Sequence, residues 1–205
     1  MILRDEIFNP FFIGRYVDKQ YFCDRVKDTE TLVRHILNGR NVALISPRRL
    51  GKSGLIHHTF AQDVIKDRYT TIYVDIYATK DLCEMVKALS EAIVKAVGQK
   101  KSWHEKFFSF IKSLRVGFHI DAVSGEPSFD IGIGDIENPD KTIRELFDYM
   151  EASEKPCILA IDEFQQIREY PQTNTEAFIR SLVQQCSRTS FIFCGSKRHT
   201  MTDIF

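Results

Sequence analysis

Apolar residues recur at two different spacings along the chain, and these spacings distinguish strands from helices. Mainly apolar runs at residues 41–46, 157–161 and 190–196 are typical of strands buried on both faces of a parallel sheet. The segment 70–77 is rich in β-branched and aromatic residues and predicts another strand. Apolar residues at helical spacing predict helices near residues 29–38, 53–68, 81–97, 102–114, 138–150 and 174–187.

Predicted strands and helices alternate along most of the chain. Strands that alternate with crossover helices pair into a parallel sheet wrapped by helices. The predicted fold class is therefore α/β, with three layers in which helices cover both faces of a parallel sheet. Residues 1–40 would form a lead-in segment and a helix, and residues 41–205 would form the core.

The apolar period changes to two between residues 116 and 133. The alternating apolar residues are Val116, Phe118, Ile120, Phe129, Ile131 and Ile133. Ser124-Gly125 separates the two runs, so the pattern predicts a β-hairpin. We interpret this hairpin as an insertion in the α/β core, and as a surface for a partner protein or a second copy of the chain.

Composition limits the classes of partner. The chain has 205 residues, with 28 basic and 28 acidic side chains and a formal net charge of zero. This balance argues against a dominant nucleic-acid or anionic-membrane surface, although a local basic patch for nucleic acid stays open. The apolar content of 43% is that of a globular protein.

Cysteine usage and hydropathy favour a cytoplasmic location. The five cysteines are odd in number and form no Cys-x-x-Cys pair, which is typical of reduced residues. The N-terminus lacks the apolar stretch of a signal peptide. The apolar runs are too short for a membrane span.

Residues 46–54 carry the strongest candidate chemistry. The segment follows a predicted strand, precedes a predicted helix and contains Gly51-Lys52-Ser53, which is the setting of a phosphate-binding P-loop. Backbone N–H groups at the helix start would bind phosphate, Lys52 would reach the outer phosphates, and the Ser53 hydroxyl would bind Mg²⁺. The candidate nucleotide-binding residues are Ser46, Pro47, Arg48, Arg49, Leu50, Gly51, Lys52, Ser53 and Gly54. Ser46 stands where the motif usually has its first glycine. The alternative to a P-loop is an ordinary turn that contains Gly-Lys-Ser.

A second motif ends the apolar run at residues 157–161. Asp162 and Glu163 follow it at the carboxyl end of a predicted central strand, which is where α/β sheets bind ligands. Asp162 would hold Mg²⁺ directly or through water, and Glu163 would polarise the water that attacks the γ-phosphate. The alternative is a helix cap with an acidic first turn.

Ser196 ends the last predicted strand and is the candidate sensor of the γ-phosphate. A simple turn at the strand end is the alternative. Arg198 follows closely and, with Lys197, is the nearest source of positive charge for the transferred phosphoryl group.

Taken together, these motifs resemble those of the archaeal-type ATPases, on the AAA+/STAND side of the P-loop ATPases. Ser-Pro-Arg-Arg-Leu-Gly-Lys-Ser at 46–53 is similar to the family's G-P-R-R-x-G-K-[ST] loop, and Asp162-Glu163-Phe164-Gln165 to its D-E-[FI]-Q segment. Asn-Pro-Phe at 9–11 and the segment 22–28 are similar to the family's lead-in. Gly195-Ser196, with Met201 and Phe205, is similar to its sensor stretch.

The resemblance implies a P-loop nucleotidase fold and an adenine pocket to which the lead-in contributes. Phe12 and Arg25 are the candidate lead-in residues, since aromatic rings and an arginine can stack on a base; packing of the lead-in aromatic rings on the core is the alternative. The family usually continues into a fifth strand and a C-terminal lid or winged-helix domain. We expect that part to be absent from these 205 residues.

The favoured hypothesis is an ATP-binding, Mg²⁺-dependent ATPase domain that acts as a switch and turns over slowly. ATP is favoured over GTP because no Asn-Lys-x-Asp segment occurs. The alternatives are a nucleotide or small-molecule kinase, a nucleotide-gated interaction module with negligible hydrolysis, and a DNA-handling ATPase of the origin-recognition type.

Overall fold

The computed structural model describes residues 22, 25–97, 107, 109, 111, 136–196 and 201, together with the backbone of 117–120 and 127–130. The strands are β1 (Val42–Ile45), β2 (Thr70–Asp75), β3 (Gly117–Ile120), β4 (Pro127–Asp130), β5 (Cys157–Asp162) and β6 (Ser190–Gly195). The helices are α1 (Val26–Leu37), α2 (Lys52–Phe60), α3 (Asp63–Lys66), α4 (Leu82–Val97), α5 (Pro139–Ala152) and α6 (Thr175–Gln185), and a 3-10 helix spans Phe164–Glu169.

Four of the strands form a parallel sheet in the order β1-β6-β5-β2. At one edge of this sheet Ile45 pairs with Gly195, and Asp75 pairs with Asp162. The carboxyl ends of the strands therefore meet along this edge, which is where the sequence places its candidate site.

Helices cover both faces of the sheet because successive strand residues point to opposite sides. On one face, α1, α2 and α3 bury Leu32, Ile36, Leu55, Ile56 and Ile65 against Ile158, Ala160, Ile192 and Cys194. On the other face, apolar residues of α4, α5 and α6 pack against Leu159, Ile161, Phe191 and Phe193. The predicted three-layer α/β fold is confirmed.

Local signals explain several helix boundaries. Asn138 accepts a hydrogen bond from the backbone N–H of Lys141 (2.9 Å), and Pro139 follows it, so α5 begins as predicted. The helix predicted over 53–68 is instead split into α2 and α3. Gln62 has an extended backbone between them, and its side-chain amide donates to the carbonyl of His58 (3.0 Å). The 3-10 helix after β5 was not predicted.

The hairpin region forms a separate antiparallel pair of strands. Phe118 of β3 pairs with Phe129 of β4. The interpretation of this pair as an insertion and a partner surface stays a prediction. Of the predicted helix 102–114, only Phe107, Ser109 and Ile111 are described, and Phe107 and Ile111 are buried in the core. None of the described helices is long and apolar enough to cross a membrane.

Candidate functional site

The loop between β1 and α2 turns through two residues with left-handed backbones. Gly51 has φ +72° at the start of α2, and Arg49 has φ +65°. Glycine carries no steric penalty in this region, whereas a side chain with a Cβ costs about 1–2 kcal/mol there. Gly51 therefore explains how the chain enters α2 with its first N–H groups facing the loop.

Lys52 lies beneath this loop and is only 6% exposed. Its ammonium donates to the carbonyls of Ser46 (2.9 Å) and Pro47 (3.3 Å). An ammonium has three donors, so these contacts fix its position and use two of them. The hydroxyl of Ser46 is buried and has no hydrogen-bond partner among the described residues.

Arg25 holds the outer side of the same loop. One guanidinium nitrogen donates to the carbonyls of Leu50 (2.9 Å) and Gly51 (3.3 Å), and Nε forms an ion pair with Asp28 (2.9 Å). The C=O and N–H groups of a trans peptide point in opposite directions. By holding the Leu50 carbonyl, Arg25 fixes the orientation of the peptide between Leu50 and Gly51, whose N–H points away from the arginine.

Phe22 packs on α2 beside this arginine. Its ring stacks on His58 with centroids 4.1 Å apart, and it lies 3.7 Å from the position that a Cβ on Gly54 would occupy. This observed contact is packing of the lead-in on the core. Phe12, the other lead-in candidate, lies outside the described residues.

Ser53 and Asp162 are in direct contact across the sheet edge. The Ser53 hydroxyl donates to Oδ2 of Asp162 (2.6 Å), although 109 positions separate the two residues. The phenol of Tyr73 donates to the same oxygen (2.7 Å), and the N–H of Glu163 donates to Oδ1 (2.9 Å). Asp162 is 3% exposed, and these three donors stabilise its charge.

Tyr73 was missed by the sequence reasoning. It lies on β2, the neighbour of β5, and only the strand order brings its ring to Asp162. Burial raises the pKa of Tyr73, and the adjacent Asp162 raises it further, so the phenol is protonated and acts as a donor. The β-branched and aromatic composition of residues 70–77 predicted the strand but gave no sign of this contact.

Negative charge is concentrated at this edge. Asp75 lies opposite Asp162 in the register of β2 and β5. Partial burial raises the pKa of Asp75, the N–H of Tyr77 opposes this, and the charges of Asp162 and Glu163 raise it further. Carboxylate oxygens are the ligands that a hard divalent cation prefers, although no three acidic, histidine or cysteine side chains among the described residues are grouped closely enough to hold a metal ion by themselves.

Glu163 is fixed by two donors on one oxygen. The Ser196 hydroxyl donates to Oε2 (3.0 Å), and so does the side-chain amide of Gln165. Glu163 itself has a left-handed backbone with φ +54°, which turns the chain sharply out of β5. The oxygen of the Gln165 amide is buried without a hydrogen-bond partner in the described part of the chain.

The structure thus brings together most of the residues that the sequence singled out. Lys52, Ser53, Asp162, Glu163 and Ser196 form a connected group around the loop and the sheet edge. The remaining described loop residues are Pro47, Arg48, Arg49 and Leu50, which are exposed, with the Arg48 guanidinium 4.9 Å from the centroid of the Tyr77 ring. Arg198 lies outside the described residues.

Known structures share this fold. No protein-family model and no curated protein matches the chain. The Walker-type ATPase PABY2304 of Pyrococcus abyssi matches with a TM-score of 0.60 and 21% identity, over 96% of this chain and 51% of that protein. The ORC2 protein of Aeropyrum pernix matches with a TM-score of 0.55 and 14% identity in its ADPNP–ADP complexes, over 88% of this chain and 43% of that one. The ADP form of the same protein matches with a TM-score of 0.53 and 13% identity, over 88% of this chain and 44% of that one.

These likenesses establish the fold, and they agree at that level with the resemblance found in the sequence. The chain spans about half the length of these proteins.

Proposed function

We propose that this chain is an ATP-binding, Mg²⁺-dependent ATPase domain of the archaeal type that acts as a nucleotide-driven switch. The observation that carries the proposal is the 2.6 Å hydrogen bond between Ser53 and Asp162. A hydroxyl at the start of the P-loop helix and a buried carboxylate at the end of the central strand are the pair that a Mg²⁺ ion between protein and phosphates requires.

The side chains at the site suit a metal-bound triphosphate. Lys52 has an ammonium donor beyond its two carbonyl contacts, and the buried hydroxyl of Ser46 lies on the same loop without a partner in the described structure. The first turn of α2 adds backbone N–H donors. Ser53 would ligate the metal, Asp162 would support it, and Lys52 would contact the outer phosphates.

Hydrolysis would depend on Glu163 and Ser196. Bound Mg²⁺ would neutralise charge on the phosphates. The Glu163 carboxylate would orient the attacking water and accept its proton, and the Ser196 hydroxyl would donate to a γ-phosphate oxygen. Arg25 would keep the loop N–H groups aimed at the phosphates through its contacts with Leu50 and Gly51.

A nucleotide-gated module with little turnover is the second candidate, and the contacts of Glu163 favour it. Two donors already occupy Oε2, so this oxygen is engaged within the protein and is less available to an attacking water. Both candidates share the same nucleotide site. They differ in turnover, which release of inorganic phosphate from Mg-ATP measures directly.

Binding of Mg-ATP to the parent and to Lys52→Ala tests the shared proposal. Loss of a charge-assisted contact of about 1.5–3 kcal/mol should weaken binding about 10- to 100-fold in calorimetry. Lys66→Ala, at an exposed position in α3, is the matched control and should bind like the parent. Equal affinity of the parent and Lys52→Ala would refute the P-loop assignment.

A further inference from the structure

We propose that Tyr73 is a positioning residue of the metal site, whose phenol holds Asp162 in the orientation that lets Ser53 ligate a divalent cation. The inference rests on the proposed function and adds a residue that lies outside the P-loop and outside the strand that carries Asp162.

The hydrogen bonds to Asp162 fix both of its oxygens. Tyr73 (2.7 Å) and Ser53 (2.6 Å) donate to Oδ2, while the Glu163 N–H (2.9 Å) donates to Oδ1. The Glu163 N–H belongs to the residue directly after Asp162, so it does not connect the Asp162 carboxylate to another element of the fold. Tyr73 is therefore the contact that ties the carboxylate to the neighbouring strand β2.

Metal binding by a serine hydroxyl creates a need for such an anchor. When a lone pair of Ser53 Oγ binds a cation, its single proton must go to an acceptor on the other side. Asp162 Oδ2 is that acceptor. Because Tyr73 donates to the same oxygen, the carboxylate is kept facing Ser53, where it would support a cation bound by the serine.

The ring of Tyr73 is itself held by the helix that carries Ser53. His57, one turn after Ser53 on α2, packs on the ring with centroids 4.5 Å apart. On β5 the residue opposite Tyr73 is Ala160, two positions before Asp162 and therefore on the same face of the sheet. Helix α2 and strand β5 thus place the phenol relative to both members of the metal pair.

Tyr73→Phe is the test, since it removes only the hydroxyl and keeps the ring. Nucleotide affinity would be measured with a fluorescent ATP analogue, first in EDTA and then across a Mg²⁺ titration. We expect the Mg²⁺ midpoint to rise about 10-fold or more, in the range seen when residues that support metal ligands are replaced. The affinity in EDTA and the thermal midpoint should stay near those of the parent.

Tyr69→Phe is the matched control, because Tyr69 lies just before β2 and packs on the same core cluster. It should leave the Mg²⁺ midpoint unchanged. A Tyr73→Phe protein that titrates like the parent, or one that loses affinity equally in EDTA, overturns the inference and leaves the proposed function intact. A parent protein without Mg²⁺-dependent nucleotide binding overturns both.

Discussion

The hydroxyl of Ser196 donates to Oε2 of Glu163 at 3.0 Å. Ser196, which we assign to the γ-phosphate, is therefore hydrogen-bonded to Glu163, which we assign to the attacking water. A serine hydroxyl has one proton, so it cannot donate to both groups at once. If the Ser196 hydroxyl turns to donate to a phosphate oxygen, Oε2 of Glu163 loses one of its two donors and is freed to accept a hydrogen bond from a water. This single contact would link the occupancy of the site to its reactivity.

Replacement of Glu163 should separate binding from hydrolysis. Glu163→Gln removes the base but leaves Asp162 and Ser53 in contact, so Mg-ATP affinity should stay within a few-fold of the parent. Phosphate release should fall by about 10²- to 10⁴-fold, the usual contribution of a general base. If the parent turnover is too slow to measure, the low-turnover candidate is favoured.

Glu154→Gln is the control for this experiment, because Glu154 is exposed just before β5, whereas Glu163 follows that strand. It should change neither quantity. Parallel loss of affinity and turnover in Glu163→Gln would assign this residue a structural role instead.

The loop contacts of Arg25 should contribute to nucleotide affinity from outside the site. Arg25→Ala removes the donors to the Leu50 and Gly51 carbonyls, and we expect weaker Mg-ATP binding by about 1–2 kcal/mol, roughly 5- to 30-fold. Arg25→Lys keeps the charge but loses the planar fork, so it should restore only part of the affinity. Lys27→Ala, exposed on the same helix, should bind like the parent. If Arg25→Ala also matches the parent, the loop does not depend on this contact.

The sheet and the ends of its strands could be predicted because they depend on local patterns. The apolar run at 157–161 followed by Asp162, and the run ending at Ser196, mark central strands whose carboxyl ends share one edge. The P-loop residues followed from a motif whose chemistry requires that setting. These parts of the candidate site needed no knowledge of which strands are neighbours.

The contacts of Tyr73 and Gln165 could not be predicted, because they depend on tertiary placement. Tyr73 reaches Asp162 only because β2 lies beside β5, and apolar patterning does not give strand order. Gln165 lies over Gly195 because the chain turns at Glu163 into a 3-10 helix, and nothing in the apolar period signals that turn. The break between α2 and α3 was missed because Gln62 interrupts a helical pattern that continues on both sides.

Glu151 should make stability depend on pH. Burial disfavours its ionisation, but donors from Ser187 and Arg188 outweigh this effect and lower its pKa below the ordinary value of 4.5. A lowered pKa in the folded state stabilises the protein fully above pH 4.5, and this contribution disappears as the pH falls through the folded-state value. Glu151→Gln should therefore lower the free energy of unfolding near pH 7 by about 0.2–1 kcal/mol, because solvent screens the contacts of this partly exposed group. The difference between the two proteins in urea unfolding should shrink in acid. A difference that stays constant down to pH 3 would contradict this assignment.

Gly195 should be required both for stability and for the position of Glu163. A Cβ at Gly195 would lie 2.5 Å from the Gln165 amide oxygen and 2.5 Å from the Met201 sulfur, and such overlap forces neighbours to move. Gly195→Ala should therefore destabilise the fold by about 1–3 kcal/mol in urea unfolding. Gly54→Ala is the matched control for stability, since its Cβ would make an ordinary contact at 3.7 Å and alanine favours a helix.

Gly195→Ala should also affect turnover. The Gln165 amide donates to the Glu163 carboxylate, so displacement of Gln165 by the new Cβ should also change the position of Glu163. Among molecules that stay folded, the affinity for Mg-ATP should match that of the parent, because the hydrogen bonds of Lys52, Ser53 and Asp162 in the described part of the chain do not involve Gln165. The rate of phosphate release should change. The effect on stability and the effect on turnover can be separated by measuring phosphate release under conditions in which the variant and the parent have the same folded fraction. Unchanged phosphate release under those conditions would show that Gln165 packs against Gly195 without positioning Glu163.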